Sequence, residues 1–188
     1  VTNARYRQCV EGGGCTLPKD RLTFEDPQRA QHPVTNITWN QARSFCQWQG
    51  KRLPTEAEWE KAARGTDGRR YPWGNNGDAL KNHVRKQEIK TDTGGTELVG
   101  RQMATVSPYG VFDLVGSVSE WVKDWYAEDF YQTSPARDPQ GPSRGSFRVL
   151  RGGEWSEKTQ NFQASYRGWD DVTYWGPTLG ARCAQDVP

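Results

Sequence analysis

Histidine, methionine and long apolar runs are what this 188-residue chain lacks. Two histidines and one methionine stand against nine tryptophans, seven tyrosines and six phenylalanines. With 34% hydrophobic residues and a mean hydropathy of -0.95, no stretch reaches the roughly 18 apolar residues that a membrane helix needs. The same composition excludes a leucine-rich bundle or coiled coil, and its aromatics exclude a disordered chain. Charge of neither sign dominates: 25 basic and 23 acidic residues leave a net +2, and no basic stripe tracks a phosphate backbone. Nucleic acid is therefore not an expected partner. His32 and His83 each stand alone, so neither a histidine metal triad nor Ser-His-Asp catalysis is supported. Carboxylates such as Asp170 and Asp171 are plentiful, but spacing alone assigns no acid–base pair.

What is present is glycine (20), proline (11), large rings and four cysteines. The length fits a single domain, residues 1–188, with a loop-rich body and an aromatic core. The even cysteine count without a Cys-x-x-Cys pair favours two disulfides over a zinc site, with four buried thiols as the alternative. Disulfides would place the chain outside the cytoplasm: periplasmic, secreted or on the cell surface. The chain opens in mid-motif at Val1, which leaves room for a leader or a further domain before it.

Three helices are expected. Thr2 caps one from Asn3 to about Val10, stopped by the glycines at 12–14; Cys9 sits on its last turn and Cys15 just past the glycines, so a local staple is geometrically reasonable. Ala42, Phe45, Cys46 and Gln49 recur at helical spacing from Trp39 to about Gln49. Thr55 and Glu58 form a capping box for a helix ending at Arg64, with Gly65 as its stop. Residues 16–32 and 78–95 read as irregular and polar, and 71–74 as a turn carrying two rings. Residues 33–38, 111–118, 147–150 and 180–184 read as short strands. No internal repeat is visible.

An ordered set of phrases then carries a resemblance. It runs Val1-Thr2-Asn3-Ala4, Gly50-Lys51-Arg52-Leu53-Pro54-Thr55-Glu56-Ala57-Glu58-Trp59-Glu60, Tyr71-Pro72-Trp73-Gly74 and Pro108-Tyr109-Gly110-Val111-Phe112-Asp113-Leu114-Val115-Gly116. It continues through Glu120-Trp121-Val122 and Arg148-Val149-Leu150-Arg151-Gly152-Gly153 to Leu179-Gly180-Ala181-Arg182-Cys183-Ala184. Across the whole chain this resembles the formylglycine-generating enzyme (sulfatase-modifying factor) family. The resemblance implies an α+β, C-type-lectin-like fold with few helices, short twisted antiparallel strands and much irregular loop. It also implies a second disulfide, Cys46–Cys183, joining the second helix to the final strand.

The family's oxidases carry two copper-binding cysteines after the Gly-Gly pair; aligned on Gly152-Gly153, those positions are Glu157 and Phe162. Neither supplies a thiolate, so no copper is expected. The resemblance implies structural Ca²⁺ held by Asp113 and Glu120 with carbonyls around Leu114, Gly116 and Val118, against the alternative of a hydrogen-bonded turn; Ser117 and Ser119 depart from the family's loop. A second site would use Asn82, His83 and Asp92 in a segment that matches poorly.

Function divides into two classes. One is a non-catalytic binding or accessory module that recognises a protein or other surface ligand through residues 154–177, or rides as a subunit of a larger assembly. Its contact residues would be Trp155, Ser156, Glu157, Tyr166, Trp169, Asp170, Asp171, Tyr174 and Trp175, a mixture of rigid rings and small polar groups typical of recognition surfaces. Some family members are diversified in this segment by retroelements; Tyr166, Gly168, Asp170, Asp171 and Tyr174 suit that origin, Glu157, Lys158 and Trp175 less so. Core placement is the competing reading for Trp155, and stands even for Trp169 and Trp175. The other class is a family-related oxidoreductase, tailoring or maturation factor that does not use the copper–thiolate site.

Overall fold

The computed structural model describes residues 1–77, 96–101, 103–154 and 162–186. The three expected helices are there. Helix α1 spans Asn3–Glu11, with the Thr2 hydroxyl accepting the Arg5 N–H. A short turn of helix, α2, covers Leu22–Glu25, and a 3₁₀ turn follows at Pro27–Arg29, so the segment read as irregular is partly coiled. Helix α3 spans Trp39–Trp48 and α4 spans Glu56–Arg64. Both begin in reciprocal capping boxes, Thr38 with Gln41 and Thr55 with Glu58, which satisfy two orphan N–H groups each. Gly65 ends α4 at φ +64°, a backbone angle that disfavours any residue with a Cβ.

One sheet organises the rest. Strand β1 is Ser119–Trp125, β2 Phe147–Arg151, β3 Gly168–Asp171 and β4 Leu179–Ala181, with a short helix α5 at Phe130–Thr133 before β2. The order is β3-β2-β1-β4. Pairs β1–β2 and β2–β3 are antiparallel, but β1–β4 is parallel, so the sheet is mixed and not wholly antiparallel as expected. Residues 111–118 do not form the expected strand. Asp113 and Gly116 hold φ of +56° and +78°, which breaks the pleat, and pairing starts only at Ser119. Residues 33–38 likewise make one bridge, Thr2 to Pro33, before Asn36 turns left-handed at φ +59°. Beyond β4, Ala184 pairs with Arg52 as a single bridge.

Side chains alternate across the sheet and give it two buried faces. On one, Trp121, Leu150 and Ala181 pack with Tyr6, Phe45 and Trp39 of α1 and α3. On the other, Val122 and Val149 pack with Trp59 of α4, Tyr71, Leu114 and Phe162. The polar edges of the buried rings are satisfied: the indole N–H groups of Trp39 and Trp121 donate to the carbonyls of Val122 and Ile37 at 2.7 and 3.1 Å. In the expected two-ring turn, Tyr71 stacks on Trp73 at 5.0 Å.

Candidate functional site

Both disulfides are formed. Cys9–Cys15 staples the end of α1 to the loop beyond it, and Cys46–Cys183 ties α3 to the chain just past β4. They use all four cysteines in the sequence, so the chain keeps no thiol.

The loop entering β1 brings Asp113 and Glu120 near each other, but around a guanidinium. Arg182, the residue just past β4, donates Nε to Glu120 Oε2 at 2.6 Å and Nη2 to Glu120 Oε1 at 2.8 Å. The same Nη2 donates to the carbonyls of Phe112 and Asp113 at 3.1 and 3.0 Å. Trp59 Nε1 donates to Glu120 Oε2 at 2.7 Å, and the Gly100 N–H donates to Asp113 Oδ2 at 2.6 Å. Burial pushes the Asp113 carboxyl above its ordinary range. As arranged, both Glu120 oxygens accept from Trp59 or Arg182, so a Ca²⁺ ion held by Glu120 would have to share it with a guanidinium. Leu114 and Val118 are buried beside this pair, and Gly116 donates its N–H to the Gly152 carbonyl. Asn82, His83 and Asp92 lie outside the described residues.

A second buried ionic cluster joins α4 to the sheet. Arg151, with 0% of its surface exposed, donates to Glu56 at 3.2 Å, Glu60 at 2.7 Å and the Ala164 carbonyl at 2.6 Å. Arg167 forks onto Glu56 at 2.6 and 2.9 Å. Asp124 accepts the Glu56 N–H at 2.7 Å, and burial raises its carboxyl to about 6. Each cation is matched by carboxylates and carbonyls, so the cluster reads as structural cross-bracing. Sequence reasoning missed Arg151, Arg167 and Arg182. The available signal was an arginine placed inside an otherwise apolar strand phrase, with Glu56 and Glu120 in the neighbouring phrases.

The C-terminal segment is different, because its rings face outward. Trp169, Tyr174 and Trp175 are 47%, 49% and 42% exposed, which places them on the surface. Trp169 lies on β3, an edge strand, against Phe147 at 4.4 Å and Tyr126 at 5.8 Å. A cavity of about 420 Å³ opens here. It gathers Tyr166, Trp169, Asp170 and Tyr174 with Glu154 and Ser119. Asp171 is spent on a turn, accepting the Thr173 N–H at 2.8 Å and its hydroxyl at 2.6 Å, and these bonds hold its carboxyl below its ordinary range. Trp175 is exposed but does not line the cavity. Trp155, Ser156 and Glu157 lie outside the described residues; Phe162 is fully buried in the second core.

Residues 1–187 match the model of the sulfatase-modifying factor enzyme 1-like domain. The chain is 39% identical over 170 residues to the serine/threonine-protein kinase pkn1 of Chlamydia pneumoniae, covering 89% of this chain and 26% of that protein. It is 37% identical over 171 residues to the formylglycine-generating enzyme of Streptomyces coelicolor, covering 85% of this chain and 54% of that enzyme. It thus spans a quarter to about half the length of these relatives. Among solved structures, Treponema denticola variable protein 1 superposes with a TM-score of 0.73 at 24% identity, covering 96% of this chain and 80% of that one, a likeness of fold. The ordered phrases, the mixed sheet and these matches agree that the chain belongs to the sulfatase-modifying factor enzyme 1-like (formylglycine-generating enzyme) domain family.

Proposed function

We propose that this domain is a non-catalytic binding module that recognises a protein or other surface ligand through Trp169, Asp170, Tyr174, Trp175 and Tyr166. One observation carries the reading: three large rings, each nearly half exposed, lie within seven residues of an edge strand and its following turn. Rigid aromatics give contact area at low entropic cost and commonly carry most of the energy of an interface. Asp170 and the cavity beside Trp169 and Tyr174 add a polar socket.

The pairing of every cysteine supports a reading without copper–thiolate oxidation. The two disulfides support an oxidising, extracytoplasmic setting. Coverage of only 26% of a kinase relative supports the use of such a domain as an accessory part of a larger chain.

The test is site-specific photocrosslinking in the producing cell, with a photoreactive group at position 174 and a control at the exposed Tyr131. The reading expects a discrete crosslinked species from 174 that is lost in Trp169→Ala. Identical patterns from the two positions would overturn it.

A further inference from the structure

A second cavity, of about 440 Å³, is lined by residues of α3, β1 and β2. The two cavities share no lining residue: Arg148 pairs with Trp125 on one side and with Asp170 of the patch on the other, whereas Trp169 pairs with Val149. Arg43, Lys123 and Arg148 line the cavity, and none of the three forms an ion pair with a carboxylate among the described residues. Arg52 also lines it but is balanced by Glu58 at 2.7 Å and Asp186 at 2.6 Å. The other nearby acid in β1, Asp124, points to the α4 side, where it binds the Glu56 N–H.

Arg148 is held firmly, yet part of its donor capacity is unused among the described residues. Its guanidinium carbon sits 3.7 Å from the ring centre of Trp39 and 3.4 Å from that of Trp125, a cation clamped between two indoles. Nη1 donates to the Lys123 carbonyl at 2.6 Å; Nε is buried without an acceptor, and Nη2 donates to no atom of the described residues. Burial and the neighbouring Arg43 pull this guanidinium down to about 10, with Asp124 opposing. Lys123 Nζ is aimed by Gln140 at 2.8 Å.

We propose that this cavity binds a small tetrahedral oxyanion, the phosphoryl or sulfuryl group of a small molecule, between Arg43, Lys123 and the Trp-clamped Arg148. Three separate cations suit several oxygens better than a single carboxylate does, and a guanidinium with free donors supplies the directed bonds.

Isothermal titration calorimetry of the full chain in low-salt buffer, with inorganic phosphate, sulfate and acetate as probes, tests this. Phosphate or sulfate should bind one-to-one with a Kd of roughly 0.1–1 mM, at least tenfold tighter than acetate, and 0.5 M NaCl should abolish the heat. The tighter of the two probes identifies a phosphoryl or a sulfuryl source. Arg148→Met should weaken binding at least tenfold. Because that change also removes the indole clamp, the exposed double variant Arg43→Gln/Lys123→Gln is the companion: its melting temperature should stay at the wild-type value while affinity falls at least tenfold. No heat from either oxyanion at 20 mM, or an unchanged Kd in the double variant, overturns the proposal.

Discussion

Stability should fall as pH rises through about 6, and Asp124 should be a main cause. Its carboxyl is 2% exposed, and burial raises it from the ordinary 3.8 to about 6, with the nearby Glu56 carboxylate acting in the same direction and the Glu56 N–H opposing. Oδ1 is buried without a partner, and Gly141 packs so closely that a Cβ there would lie 2.6 Å from it. A carboxyl raised on folding binds its proton more tightly in the native state. Its contribution is therefore fully present below the unfolded value near 4 and lost as pH passes through 6. A shift of about two units corresponds to about 3 kcal/mol between these limits. Asp124→Asn keeps an oxygen for the Glu56 N–H and removes the titration. Urea unfolding at pH 4 to 8 on both proteins isolates the effect, since groups that titrate elsewhere cancel in the difference. The variant should gain on the wild type by about 2–3 kcal/mol between pH 4 and pH 7.5. A stability difference that stays constant over that range would refute the reasoning.

Further outcomes follow from the same packing. Changing Cys46 and Cys183 together to Ser should cost about 4–5 kcal/mol, because the bridge spans 137 residues; the Cys9/Cys15 pair, spanning six, should cost less, and denaturant midpoints read both. Alkylation of the non-reduced chain should add no mass. Arg182→Met should lower stability by about 3–5 kcal/mol by stranding the buried Glu120 carboxylate, while chelators leave the wild-type melting temperature unchanged; a chelator-induced drop would restore calcium to the loop. Gly152→Ala should cost at least about 2 kcal/mol, measured by thermal unfolding, because φ is +98° and the added Cβ would meet the Leu114 carbonyl at 2.6 Å.

Local signals made the helices legible in the sequence. Thr55 and Glu58 are three residues apart, and a capping box needs nothing beyond that spacing. The strands were less legible because this sheet buries both faces of β1, so its Trp121, Val122 and Asp124 show no alternation of apolar with polar residues. Strand β3, Gly168-Trp169-Asp170-Asp171, carries one large apolar residue and read only as part of a recognition surface; it is an edge strand that is also part of the exposed patch. In the candidate site, the outward rings were visible as composition, but their exposure was not, since a tryptophan in a Gly-rich segment looks the same in core or surface. Arg182 and Arg151 were hidden for a related reason. Their partners, Glu120 and Glu56, lie 62 and 95 residues away, and only the parallel β1–β4 pair and the packing of α4 on β2 bring them together.

The recognition patch is tested most directly by hydroxyl-radical footprinting of the chain in the cell that makes it and again after purification. Leu22 and Met103, 81% and 74% exposed and outside the patch, serve as internal references. Occupancy of the patch predicts that Trp169, Tyr174 and Trp175 are protected in the cell, relative to these references, and become reactive once the chain is pure. Equal reactivity of the three rings in both settings would contradict a binding role for this surface.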